Sequence, residues 1–146
     1  MAITEYGQYM EPACKSGQLA NYQDYTADTH TVEEEVPFGA AVQLNAEGTA
    51  ITPIKPNGNV IGIALAQSVY KEENPAYSLY KPAAILKRGR IFVRGGSDVM
   101  NGQPVKVDPV TQKFVADVPG AIAINNAVFK ANATADQLVE IEINLP

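Results

Sequence analysis

The sequence predicts an all-β fold, a small β-barrel or sandwich of about 8–9 short antiparallel strands behind an extended N-terminal arm. Three observations predict it. Apolar runs are short, and Gly, Pro, Asn or Asp cuts each of them off, which is the grammar of strands between turns. No run has the length and 3.6-residue period of a helix. Near the C-terminus Val139, Ile141 and Ile143 alternate with Glu140, Glu142 and Asn144, which puts the apolar side chains on one face of a pleated strand.

Residues 1–35 differ from the rest. They hold seven acids, one cation (Lys15) and four of the seven tyrosines, Tyr6, Tyr9, Tyr22 and Tyr25. Neither alternation nor a helical stripe runs through them. Too few aliphatic residues are present to form a core, so the segment reads as an arm that orders by lying on something else. Tyrosines suit that role, since each brings a large rigid contact area and a hydroxyl.

The globular part spans residues 36–146 and opens at Val36-Pro37-Phe38-Gly39, where Pro37 suits a strand start or edge because it cannot donate to a ladder. Ala40–Leu44 reads as a strand, Asn45–Gly48 as its turn, and Thr49–Ile54 as the return. Pro56-Asn57-Gly58-Asn59 ends that hairpin. Val60–Ala66 is nearly all apolar, as for a strand covered on both faces, with Gly62 marking a bulge or bend. Tyr70–Tyr80 reads as a polar loop. Ala83–Leu86 and Ile91–Val93 read as two strands of a central hairpin, with a bulge or tight turn at Gly89. Val105–Val107 and Lys113–Val115 flank Asp108-Pro109, a type I turn signal. Ala121–Lys130 is a strand pair or one bent strand, and Leu138–Leu145 closes the chain.

The totals narrow the function. A net charge of −5 and a pI near 4.8 give no basic nucleic-acid footprint. No stretch has the length and apolarity of a membrane helix. With one His and one Cys, Cys₄ and Cys₂His₂ metal sites cannot be assembled, and the absence of Trp weakens the case for a sugar-stacking platform. Any Ser-His-Asp or Cys-His pair must use His30, which lies in the arm, whereas catalytic groups need rigid support. Cys14 has Lys15 beside it but no positioned base. Glu33-Glu34-Glu35 cannot all point one way on a strand, so they read as a solvated acidic edge. Gly89, Gly95 and Gly96 lack the Lys-Ser/Thr and the helix start of a phosphate loop. No catalytic residue, cofactor, metal or small-molecule substrate is therefore expected, and neither nucleic acid nor membrane is an expected partner.

One charge signal stands out. Lys81–Arg94 carries five cations in fourteen residues and no acid. Arg88, Arg90, Phe92 and Arg94 share a parity, so on a regular strand they share a face. Two readings follow, a solvated face or an interface with an acidic surface, for which the acidic arm of a second copy is one candidate.

The order of motifs resembles a known family. Pro37-Phe38-Gly39-Ala40-Ala41-Val42 is followed by Val60-Ile61-Gly62-Ile63-Ala64. Then come Ala84–Val93 with Gly89 inside, Gly102-Gln103-Pro104-Val105-Lys106-Val107-Asp108, Thr111-Gln112-Lys113-Phe114, and the C-terminal strand. Over residues 36–145 this set is similar to the decoration or structural cement proteins of tailed bacteriophages. The resemblance implies a β-barrel or sandwich on the outer capsid surface, arranged as a homotrimer that clamps the major capsid protein, and it implies no catalysis. Tyr6, Tyr9, Tyr22, Tyr25, Arg88, Arg90, Phe92 and Arg94 are the expected interface residues. Another β-rich virion part, such as a fibre or tail adaptor, and a small ligand-binding barrel are the competing readings.

Overall fold

The computed structural model describes residues 16–20, 25–66 and 76–146. Eleven strands lie within them: β1 Thr26–Thr31, β2 Val36–Pro37, β3 Ala41–Leu44, β4 Ile51–Pro53, β5 Gly62–Ala64, β6 Ala76–Tyr77, β7 Pro82–Arg94, β8 Pro104–Val107, β9 Phe114–Val115, β10 Ile122–Phe129 and β11 Leu138–Asn144. The all-β expectation holds. Nine strands form one curled sheet, ordered β4-β3-β5-β7-β11-β10-β8-β9 with β1 added on β7, while β2 and β6 make a two-stranded sheet. All strand pairs are antiparallel.

The central hairpin expected around Gly89 is instead one strand of 13 residues, β7. Gly89 neither turns nor ends it. The residue pairs in register with Ile143 of β11, at a φ of 138° that side-chain-bearing residues seldom adopt. The bulge falls two residues earlier: Thr26 faces Arg88 and Ala27 faces Leu86, so Lys87 is the extra residue opposite β1. A single strand can serve here because four segments share its length. β1 and β5 pair with its first half, and β11 pairs from Arg88 to Arg94. The backbone at Gly17–Ala20 bonds to Arg90 and Phe92, through Gly17 N–H to Phe92 O (2.8 Å), Phe92 N–H to Gln18 O (2.9 Å) and Ala20 N–H to Arg90 O (2.9 Å).

The wing β3-β5-β7 has both faces covered, as the unbroken apolar run at Val60–Ala66 implies. Ala41, Ile63 and Leu86 face the larger core, with Phe114, Phe129 and Ile141. Their neighbours Val42, Ala64 and Ile85 face a second core with Val32, Phe38 and Tyr77. Gly62 is explained by close approach. A Cβ there would stand 2.4 Å from Ile85 Cγ2 and 2.7 Å from Leu86 O, so only glycine lets β5 lie against β7.

Beyond β11 the sheet curls. Gly95, just past β7, bridges Phe114 in parallel, and Gly96 N–H donates to Phe114 O at 2.7 Å. The last strand of the sheet is thus brought back to the end of β7. Gln112 Nε2 donates to Ile54 O at 2.9 Å, tying the β8–β9 turn to the opposite edge of the sheet. The Asp108-Pro109 signal is realised in that turn, where the Asp108 carboxylate accepts from Val110 N–H at 2.9 Å. Ala121–Lys130 resolves as one bent strand: the β10–β8 register shifts between Ala123 and Val128, with Asn126 at a φ of 55° in the exposed bulge.

Three features were not visible in the pattern. Thr26–Thr31, inside the segment assigned to the arm, is a strand. Val32, immediately before the acidic run Glu33–Glu35, is fully buried. Tyr77, inside the stretch read as polar loop, is a fully buried core residue whose ring meets Phe38 edge-on with centroids 5.1 Å apart.

Candidate docking surface

β7 builds the site because strand parity separates its side chains. Ile91 and Val93 are fully buried, while Arg88 and Arg94 are exposed and Arg90 and Phe92 are half-buried. The four residues expected on one face do stand together on the outer side of β7. What the sequence could not show is their neighbour. β11 sets Asn144 opposite Arg88, Glu142 opposite Arg90, Glu140 opposite Phe92 and Leu138 opposite Arg94.

The basic row is therefore interleaved with acids. Arg90 lies between Glu140 (3.5 Å) and Glu142 (4.0 Å), and Lys130 approaches Glu142 from the far side at 3.3 Å. Arg94 donates to Asp136 O at 2.8 Å. Lys87 pairs with Asp28 of β1 at 3.1 Å. Such part-exposed pairs add little to stability, at most about 1 kcal/mol each. They set Lys87 and Arg90 beside carboxylates, so the face is a mixed row of charges rather than a purely basic patch. Next to it, Arg88, Asn126, Val128, Glu142 and Asn144 line an open groove of about 560 Å³.

The other predicted site residues are dispersed. Tyr25 stands just before β1, 43% exposed. Tyr6, Tyr9 and Tyr22, with Cys14, lie outside the described residues. Glu33, Glu34 and Glu35 are all exposed, and Glu34 pairs with Lys55 at 2.5 Å. His30 sits on β1 opposite Ala83, its Nε2 buried with no hydrogen-bond partner among the described residues. Among those residues no group of His, Cys, Asp or Glu is placed to hold a metal ion, and none forms a catalytic constellation.

The described residues form a curled all-β body whose outer face carries a mixed row of charges. Comparison with known proteins gives the family. Over residues 2–144 the chain matches the family described as structural cement protein (E217 gp24/Pam3 gp6), and it belongs to that family. It is accordingly a structural protein of the phage virion, associated with the capsid. Its fold is similar to a chain in the solved capsid of Myoviridae phage XM1, with a TM-score of 0.75 and 15% identity over 97% of this chain and 98% of that one. It is also similar to the head fiber gp8.5 N base of bacteriophage phi29, with a TM-score of 0.55 and 14% identity over 82% of this chain and 94% of that one. At these identities the likeness is one of fold. No curated protein matches the chain.

Proposed function

We propose that the protein is a capsid decoration protein that binds the outer surface of an assembled phage head and stabilises it by bridging major capsid protein subunits, as a homotrimer. Family membership over nearly the whole chain carries the reading. The mechanism is differential binding. A protein that binds the assembled lattice and not free subunits stabilises the shell by mass action, and repetition around a symmetry axis multiplies weak contacts. The β7 face (Arg88, Arg90, Phe92, Arg94) and the tyrosines Tyr6, Tyr9, Tyr22 and Tyr25 are the proposed contacts.

The test is co-sedimentation with heads that lack the protein, before and after shell expansion. Saturable binding to expanded heads alone is expected. Binding to both forms would remove the timing, and binding to neither would remove the reading. A second reading, a fibre base on the head, draws on the phi29 likeness. It predicts that a further virion protein is retained on heads only when this chain is present.

A further inference from the structure

We propose that the Leu79–Tyr80 turn is an apolar anchor that seats in a pocket bordered by basic side chains on the capsid surface. The inference rests on the cement reading and adds which end of the body meets the shell. Tyr80 is 78% exposed and Leu79 50%. They project from a turn closed by Lys81 N–H to Ser78 O at 3.2 Å. Tyr80 has a φ of 63°, in the left-handed region that bulky side chains rarely enter. The backbone is held there by the body: Tyr80 N–H donates to Val32 O at 2.7 Å, Val32 N–H donates to Lys81 O at 3.1 Å, and Val32 itself is fully buried. Strained backbone of this kind persists where surrounding structure imposes it, and it gathers at binding sites. A tyrosine and a leucine side by side in solvent add little to the fold, so the gain from burying them is left for a partner.

Charge selects the partner. Val32, bonded to the turn, leads straight into Glu33, Glu34 and Glu35, all exposed; Glu34 is paired with Lys55, which leaves Glu33 and Glu35 against the single exposed cation of the turn, Lys81, so the border is net acidic. Leu44, 41% exposed, faces Ile51 across the β3–β4 pair and adds apolar surface at the same end. An apolar centre with an acidic border fits a basic-bordered pocket. A second copy fits poorly. The chain carries a net charge of −5, so two copies repel overall.

Full-length Tyr80→Gly, Tyr80→Phe and Leu79→Ser proteins, bound to expanded heads that lack this chain, test the proposal. Glycine accepts the left-handed backbone, so Tyr80→Gly should melt at or above the wild-type temperature. Its half-saturating concentration on heads should rise about tenfold or more, the scale of an aromatic hot spot. Leu79→Ser should weaken binding in the same direction, and Tyr80→Phe should bind within about twofold of wild type. Wild-type binding with an unchanged Tyr80→Gly protein overturns the anchor and leaves the cement reading standing. Failure of the wild type to bind overturns both. A Tyr80→Gly protein that binds normally but has a smaller mass by light scattering would make the turn a contact between copies, against the proposal.

Discussion

Tyr77 is fully buried; its hydroxyl donates to Leu65 O at 2.6 Å, and Ala84 N–H donates to the hydroxyl oxygen at 3.4 Å. One side chain thus joins β6 to the backbone on either side of it. Tyr77→Phe keeps the ring in place but leaves a buried carbonyl without its donor, so it should cost about 1–3 kcal/mol in urea unfolding. Nothing in YKEENPAYSLY announces this role, because a lone buried aromatic among polar residues has no period to detect. Asp136 is the opposite case, an exposed carboxyl. A hydrogen bond from Lys113 and that lysine's charge hold it below the usual carboxylate range, with Arg94 adding to the effect. Whatever stability the pair contributes is present above the ordinary carboxylate value, near pH 4, and is lost as pH falls through the lowered value. Lys113→Met should raise the Asp136 midpoint toward the ordinary value in an NMR titration, and a midpoint that stays low would assign the effect elsewhere.

At the scale of elements, β7 shows what periodicity can and cannot reveal. Its two apolar runs were legible, and so was the outward parity of Arg88, Arg90, Phe92 and Arg94. Its continuity was not, because glycine at position 89 signals a break in any local reading, while pairing with β11 and the preceding bulge at Lys87 carry the strand through. β1 was hidden for a related reason. Five of its six side chains are exposed and His30 is half-buried, so it lacks alternation, and only its backbone bonds to β7 make it a strand. Removing residues 1–31 strips β1 and the buried Leu19 and should therefore lower the melting temperature of the free protein by several degrees. An unchanged melting temperature would mean that β1 contributes no stability. Gly62→Ala forces a methyl group onto Ile85 and the Leu86 carbonyl, and should cost about 1–3 kcal/mol through overpacking of the β5–β7 contact. Unfolding within error of wild type would show that the strands can separate without loss.

For the whole molecule, fold class and family were readable because both are written in short apolar runs and turn residues, such as Asp108-Pro109 and the Val139–Ile143 alternation. The electrostatic character of the candidate face was not. Glu140 and Glu142 lie some fifty residues from Arg90 in sequence, and only the β7–β11 register brings them beside it. Arg90→Glu with Arg94→Glu would put like charges against that acidic row, so head binding should fall by about tenfold or more while far-UV circular dichroism stays unchanged. Unchanged binding would return the face to solvent. The most direct measurement of the central claim is the temperature at which heads lacking this protein release their DNA, followed as purified protein is added back. The release temperature should climb with added protein and level off when binding saturates. Heads that take up the protein to saturation and still open at the original temperature would contradict the claim.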